Sequence, residues 1–292
     1  MKKRKFSIAD FLIKIFIGVL SVLSIFPFYQ TILISLSREG DKYLNPVFLL
    51  PVHINFSAYT YLLKEGKVVN GLLVTLFVTI AGTLLSLAVT IPAAYALTKK
   101  NIPGRNFIMN LIIFTMFFSG GLVPYFITVK NLGLINNIAV MIIPTAVNTF
   151  NLILMKNFFK DLPVSLEESA KLDGASDFTV LLRIVVPTSK PIIAAISLFY
   201  AVDRWNEWWN AMLFINDSHK QPLQLVLRNA IVNMSTLFNN VSALEKMQKM
   251  GDSYAGSVQN AIIVIAAVPI LLVYPFVQKY FASGIMIGSI KE

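Results

Sequence analysis

Long uninterrupted apolar runs constrain this chain more than any other feature of its sequence. Six such runs, each about 20 residues or longer, are separated by polar stretches. They cover residues 11–36, 71–97, 107–129, 134–155, 192–215 and 257–277. Because an α-helix rises about 1.5 Å per residue, each run is long enough to cross the roughly 30 Å hydrocarbon core of a bilayer. The sequence therefore predicts an all-α, polytopic membrane protein with six transmembrane helices in a single domain over residues 1–292.

Composition supports this class and excludes several others. Only 14% of residues are charged, against about 25% in a typical soluble domain. The chain has no cysteine, which excludes a disulfide framework and a thiolate metal site. We expect no metal site. The net charge is +10, but the basic residues are scattered among the flanks of the apolar runs, so we expect no nucleic-acid partner.

The first apolar run follows a basic start, Lys2-Lys3-Arg4-Lys5. That order resembles a signal peptide. However, the run far exceeds the 7–15 residues of a signal core, and no small-x-small cleavage site follows it. We therefore predict a retained first span, bent near Pro27.

The distribution of Lys and Arg predicts the orientation. With the N-terminus inside, 15 of the 25 basic residues fall in inner segments and nine in outer ones, which are mostly long and so count little. The prediction is a bacterial cytoplasmic-membrane protein with both termini in the cytoplasm. It also places residues 156–190 in the cytoplasm and residues 216–256 in an exposed outer loop.

The polar segment 156–190 has the pattern of two short helices joined by a glycine turn. Asp161 and Pro163 are typical of a helix start, Gly174 of a left-handed turn, and Ser176 of the cap of a second helix. In that second helix the sequence predicts an apolar stripe and a stop at Pro187. The stripe comprises Phe178, Leu181, Leu182 and Val185. From these patterns alone, an ordinary connecting loop is as good an interpretation as a docking element.

The same segment resembles the EAA loop of ABC importer permeases. The family pattern is Glu-Ala-Ala, three residues, Gly, nine residues, and Ile-x-Leu-Pro. Here Glu168-Ser169-Ala170 is followed by Gly174 and then by residues 184–187, Ile-Val-Val-Pro, with full spacing and two mild departures. The resemblance covers residues 70–292 and is closest to MalG-type subunits, whose tails are similar to residues 278–291.

The resemblance implies a function, partners and a set of coupling residues. The chain would be a non-enzymatic permease subunit that imports oligosaccharides or polysaccharide fragments by alternating access. Its partners would be a MalF-type permease, a dimeric ABC ATPase and an extracytoplasmic solute-binding protein. No phosphate-binding loop is present, so the partner ATPase would bind ATP and Mg. The implied coupling residues are Glu167, Glu168, Ser169, Ala170, Asp173, Gly174, Ala175, Arg183, Ile184 and Pro187. The outer loop would meet the binding protein, and the tail would enter the ATPase region.

The fifth run contains charged and aromatic residues that are expensive inside a membrane. On a helix, the spacing places Asp203 and Glu207 on one face and Trp205 and Trp209 on another, and it lets Arg204 reach Glu207. Aromatic rings beside carboxylates and amides suit a sugar, although aromatic and charged residues also belong at membrane interfaces. The candidate pathway residues are Tyr125, Asn148, Asn151, Asp203, Arg204, Trp205, Asn206, Glu207 and Trp209.

Helix-breaking residues occur inside three other runs, at Pro92, at Gly120-Gly121 with Pro124, and at Pro144. They fit packing kinks as well as helices that line a moving pathway. Three alternative functions remain from the sequence. One is a lipid-linked glycosyl or phosphoryl transferase, another is an ion-coupled carrier, and the third is an ABC permease for a non-sugar solute.

Overall fold

The computed structural model describes residues 8–38, 41, 50, 53–237 and 256–272. Three predicted features lie outside the described residues: the basic stretch Lys2–Lys5, residues 238–255 of the outer loop, and the tail 278–291. The last part of the sixth predicted span, residues 273–277, also lies outside them.

Helices account for most of the described chain, and no strand occurs among the described residues. This confirms the predicted all-α class. The helices are α1 (Ile8–Ser35), α2 (Ser57–Glu65), α3 (Lys67–Ala96), α4 (Arg105–Phe117), α5 (Leu122–Asn131), α6 (Thr149–Lys160), α7 (Val164–Leu172), α8 (Asp177–Thr188), α9 (Lys190–Trp205), α10 (Trp209–Phe214), α11 (Leu223–Leu237) and α12 (Gly256–Leu272).

Two of these helices, α1 and α3, are long and apolar enough to cross a bilayer on their own. The number rises to four if two bent pairs each count as one span. One pair is α4 with α5, bent by 118°, and the other is α8 with α9–α10, bent by 85°. Six crossings therefore stay a prediction.

The helix-breaking residues act differently from one another. Pro92 lies inside the unbroken α3 and Pro27 inside the unbroken α1, so the predicted interruption at Pro92 is wrong. Membrane helices tolerate such prolines when neighbouring groups satisfy the freed backbone. By contrast, the chain does break at Phe118–Gly121, where Gly121 has a φ of 86°. Residues 133–148, around Pro144, contain only turns and one 3₁₀ segment, Ile138–Met141.

The chain contacts divide the protein into two compact units. One unit comprises residues 1–68 and 227–268. Within it, the Ser35 and Tyr59 hydroxyls are 2.7 Å apart, and Leu33, Ala58 and Leu62 are buried. Apolar side chains along α1 are almost all exposed, and none of its apolar window is buried within the protein. Such a helix requires lipid or another chain around it.

The other unit comprises residues 69–226 and 269–292 and has two apolar clusters. One packs α3, α5 and α10 around the irregular segment 134–142. The second packs α3, α6, α8 and α9 together. Leu223 and Leu225 of α11 are buried, so part of the outer loop, predicted to be exposed, is a packed helix.

A stripe of small residues on α3 lets α9 pack closely against it. Gly82, Ser86, Thr90 and Ala94 recur every four residues and therefore share one helix face. Ser86, Thr90 and Ala94 are fully buried. Small residues of this kind allow close approach of helices in membranes.

Candidate functional site

The segment around the glycine turn folds as helix, turn, helix. Pro163 precedes the first helical residue of α7, and its φ of −58° suits that entry. Asp161, predicted to cap this helix, instead ends α6 by donating its backbone N–H to the carbonyls of Asn157 and Phe158 at 3.2 Å. That part of the prediction is wrong because α6 extends to Lys160, only three residues before Pro163.

The turn itself is as predicted. Gly174 has a φ of 83°, a left-handed conformation that residues with a Cβ adopt at a cost. The N–H of Ala175 donates to the carbonyl of Ala170 at 3.0 Å, and the N–H of Gly174 donates to that of Lys171 at 3.0 Å. These bonds close the end of α7 in the manner of a Schellman motif. The direction of the chain between α7 and α8 is therefore set by the backbone at this glycine.

Helix α8 begins at the predicted cap but does not end where predicted. The Ser176 hydroxyl accepts from the N–H of Thr179 at 3.2 Å, which confirms the cap. The helix then widens into a π segment, Leu181–Val185, and continues past Pro187 to Thr188. In a π turn the carbonyl that Pro187 would otherwise crowd is displaced, which explains why the proline does not stop the helix.

The predicted apolar stripe is only half buried. Leu181 and Val185 are buried, whereas Phe178 is 67% exposed and Leu182 50% exposed. Leu172, at the end of α7, is 89% exposed. Large apolar side chains that remain exposed on a polar segment are typical of a docking surface.

The implied coupling residues are partly exposed and partly packed. Ala170, Ala175 and Ile184 pack against the second apolar cluster, and Glu167 is half-buried. The other members are exposed: Glu168, Ser169, Asp173, Gly174, Arg183 and Pro187. The segment thus has one face fixed to the protein and another face that is free among the described residues.

Among the described residues, two ion pairs involve this segment. Lys99, from the connection after α3, donates to Glu167 of α7, and its Nζ lies 4.0 Å from the centre of the Tyr95 ring. Lys171 of α7 lies 2.8 Å from Asp177 of α8. The hydrogen bond from Lys171 lowers the pKa of the Asp177 carboxyl, and the same bond raises the pKa of the Lys171 ammonium. The second pair therefore connects the two helices across the glycine turn.

Arg204 is the buried cation of the candidate pathway set. Its side chain is 3% exposed and turns toward the irregular segment 134–145. The prediction that Arg204 reaches Glu207 is therefore wrong. The guanidinium donates to the carbonyls of Met141 at 3.1 Å and Thr145 at 2.5 Å, and to the Thr145 hydroxyl. Longer contacts of 3.4 Å reach the Ile142 carbonyl and the Ser86 hydroxyl. Arg204 thus satisfies backbone groups that the break around Pro144 removes from helical bonding.

Glu207 bonds to Asn210, a residue that the sequence interpretation did not select. The Glu207 carboxylate accepts from the Asn210 backbone N–H at 2.8 Å and from its amide at 3.0 Å. The Tyr125 hydroxyl donates to Asn210 Oδ1 at 2.7 Å. Two candidate residues from distant runs are therefore connected through Asn210. Only the three-residue spacing between Glu207 and Asn210 could have indicated it.

Helix α9 ends at Trp205, so the predicted shared faces do not continue to residues 207 and 209. Trp205 is buried, whereas Trp209 is 47% exposed and packs edge-on against Trp208. Asp203 and Asn206 are exposed, and Asn206 accepts from the Gln224 amide at 3.3 Å. The prediction of two continuous faces is wrong because the helix axis breaks between Asn206 and Trp208.

The two asparagines of the fourth run lie at the start of α6. The Asn148 side chain caps the helix by accepting from the backbone N–H of Asn151 at 3.1 Å. The backbone N–H of Asn148 donates to the Tyr200 hydroxyl at 3.2 Å. That hydroxyl is also 2.8 Å from the Thr90 hydroxyl of α3. Asn151 is 2% exposed. Asn148 is exposed, so these two candidates have different surroundings.

Comparison with known proteins identifies the family. Residues 86–287 match the family described as "Binding-protein-dependent transport system inner membrane component". The chain is 40% identical over 291 residues to the polygalacturonan/rhamnogalacturonan transport system permease protein YtcP of Bacillus subtilis (strain 168), covering all of both chains. It is 43% identical to protein LplC of the same organism, covering 95% of this chain and 92% of LplC.

A solved structure is similar throughout. It is described as the crystal structure of a bacterial ABC transporter involved in the import of the acidic polysaccharide alginate. The match has a TM-score of 0.87 and 35% identity, and covers 96% of this chain and 100% of the other. These findings confirm the MalG-type resemblance and an importer permease rather than a membrane enzyme. The chain belongs to the family of inner membrane components of binding-protein-dependent transport systems.

Proposed function

We propose that this chain is one permease subunit of an ATP-driven importer for oligosaccharides or polysaccharide fragments. A MalF-type permease, a dimeric ATPase that binds ATP and Mg, and an extracytoplasmic solute-binding protein complete the assembly. The observation that carries the proposal is the geometry of residues 164–188, two helices fixed at an angle by the left-handed Gly174. This geometry occurs in the segment that keeps the full spacing of the EAA pattern.

The exposed and packed faces of this segment suit a coupling role. Leu172, Phe178 and Glu168 are available to a groove on the ATPase. On the packed side, α8 leads through the buried Ser189 directly into α9, which carries Tyr200 and Arg204. A displacement of α7 and α8 would therefore be passed along the chain into the pathway helices.

The candidate pathway residues form two groups, one that is placed to touch cargo and one that supports the first. Asp203, Asn206, Trp209 and Asn148 are exposed, and Tyr125 with Glu207 forms the hydrogen-bonded network through Asn210. The buried Arg204, Trp205 and Asn151 would not touch cargo but would hold the broken helices in position. Exposed carboxylates and aromatic rings provide hydrogen bonds and stacking, which sugars need.

A carbohydrate cargo is supported by the relatives named above and by a permease for arabinooligosaccharides, AraQ of Bacillus subtilis (strain 168), which is 28% identical over 298 residues. Uptake of radiolabelled oligogalacturonides, compared with neutral arabino-oligosaccharides and with an amino acid, tests this assignment. Transport of the amino acid alone would favour a permease for a non-sugar solute.

The membrane arrangement that we propose has six crossings with both termini in the cytoplasm. Reporter fusions at Lys171 and at Asn239 should then report opposite sides of the membrane. Activity of both fusions on one side would contradict this arrangement.

The coupling role is tested at Gly174. No atom lies within 4 Å of a Cβ added there, so Gly174→Val acts through backbone strain of about 1–2 kcal/mol. Gly104→Val is the matched control, because Gly104 has a φ of 74° and equally open surroundings but lies outside the segment. We expect Gly174→Val to insert normally, to co-purify with less ATPase and to lose uptake, while Gly104→Val keeps uptake. Full uptake by Gly174→Val would refute the coupling role.

A further inference from the structure

The segment that we assign to ATPase coupling has several connections to the helices of its unit. The chain itself continues through Ser189 into α9, and Ala170, Ala175 and Ile184 pack against the second apolar cluster. A side-chain contact adds to these, in which Lys99 donates to Glu167 of α7. Lys99 lies three residues beyond Ala96, the last residue of α3. Helix α3 is therefore attached to α7 although Lys99 and Glu167 are 68 positions apart in the sequence.

The Lys99–Glu167 contact is better protected from water than an ordinary surface ion pair. The two side chains are 22% and 24% exposed. Exposed pairs contribute little, but pairs removed from water are screened less by salt. The ring of Tyr95, which is 5% exposed, lies beneath the Lys99 ammonium and adds a cation–π contact. These features hold Lys99 in a defined position at the end of α3.

The second ion pair of the segment provides a contrast. The Lys171 and Asp177 side chains are 48% and 64% exposed, and both belong to the helix–turn–helix. That pair connects α7 to α8 across the turn and includes no residue of α3. The Lys99–Glu167 pair connects the turn to α3, whose middle packs against Arg204 at Gly82.

We propose that Lys99 and Glu167 are positioning residues that make α3 follow the motion of α7. The inference rests on the coupling role proposed above and adds a side-chain connection that passes the motion to α3. Because Thr90 and Gly82 of α3 contact Tyr200 and Arg204 of α9, α3 and α9 then move together. Without the contact, only the apolar packing of α8 in the second cluster would connect the segment to α3, and α3 would follow its motion less closely.

Charge reversal and exchange test this proposal in the assembled transporter, reconstituted with its ATPase and binding protein and supplied with radiolabelled oligogalacturonides. Lys99→Glu and Glu167→Lys should each lower uptake per ATP hydrolysed by about fivefold or more. ATPase co-purification should stay unchanged. The double exchange, which restores an opposite pair, should return the ratio to within about twofold of the parent protein. Lys100→Glu is the matched control, because it makes the same charge change at an exposed neighbouring lysine.

The proposal fails if the single reversals behave as Lys100→Glu does, or if the double exchange is no better than the worse single variant. Loss of ATPase co-purification in the single variants would also overturn it, since the residues would then be docking residues. Failure of the coupling role itself is reported separately by full uptake in Gly174→Val.

A cargo-independent measurement uses the absence of cysteine from the chain. Lys99→Cys with Glu167→Cys can be joined by a short bifunctional thiol reagent. If α7 and the end of α3 move as one body, the joined protein should keep ATP hydrolysis within about twofold of the unjoined protein. A block of hydrolysis that is relieved by cleaving the linker would contradict the proposal.

Discussion

Replacement of Arg204 by methionine is expected to destabilise the protein by removing donors from a broken helix. The Met141 and Thr145 carbonyls and the Thr145 hydroxyl would lose their partners. Each buried acceptor left unpaired costs about 1–3 kcal/mol. The variant also avoids the desolvation cost of a buried cation, which returns several kcal/mol to the free energy of unfolding. The expected net loss in the free energy of unfolding is therefore about 2–4 kcal/mol.

The assay is thermal unfolding of the purified protein in detergent, followed by tryptophan fluorescence. At about 2–4 °C per kcal/mol, Arg204→Met should lower the midpoint by roughly 5–15 °C. Arg204→Lys should lower it less, because an ammonium keeps the charge but cannot reach all of these acceptors at once.

Substitution of glycine tests the same Arg204 contacts by crowding the guanidinium instead of removing it. A Cβ at Gly82 would lie 2.8 Å from Arg204 Nε and 3.0 Å from its Cδ, so Gly82→Ala should displace the guanidinium and lower the midpoint. Gly18→Ala is the control, because nothing lies within 4 Å of the added atom. An unchanged or higher midpoint in Arg204→Met, or equal midpoints for the two alanine variants, would refute this reasoning.

Two further predictions concern the ion pair at the turn and the pathway. The pKa of the Asp177 carboxyl is lowered in the folded protein. Its contribution to the stability of the turn is therefore present above its ordinary pKa of about 3.9 and is lost as the pH falls through the lower folded-state value. The pKa of the Lys171 ammonium is raised, so its contribution to that stability is present below about 10.4 and is lost as the pH rises through the higher folded-state value. Protease resistance of the turn should therefore be constant between about pH 5 and 9 and should fall in acid more for the parent than for Asp177→Asn; equal acid sensitivity would count against the pair. Glu207→Ala and Trp209→Ala should change the uptake rate or apparent affinity with normal assembly; if neither changes, these residues do not touch cargo.

The helix–turn–helix was predictable because its signals are local. Gly174 requires a left-handed backbone and Ser176 caps its own helix, so each position is determined by neighbouring residues. The π segment and the passage through Pro187 were not predictable, because they depend on how α8 packs into the second apolar cluster. Propensity gives no information on such tertiary effects.

The broken helices were only partly predictable. Gly121 indicated the break in the third run, but nothing local to Pro144 indicates that Arg204, about 60 residues later, would bind the freed carbonyls. The same limit applies to Asn210, which lies 85 positions after Tyr125 in the sequence and joins it to Glu207. Hydropathy identifies which segments are apolar, while long-range hydrogen bonds decide how each one bends.

Labelling of a single cysteine at Leu172 tests the central claim most directly. Leu172 is 89% exposed, and the chain has no other cysteine, so Leu172→Cys gives one accessible thiol. A membrane-impermeant maleimide should leave it unlabelled in intact cells, should label it in inside-out vesicles stripped of ATPase, and should label it poorly once the ATPase is bound. Labelling in intact cells, or labelling in vesicles that the ATPase does not reduce, would contradict a cytoplasmic coupling segment.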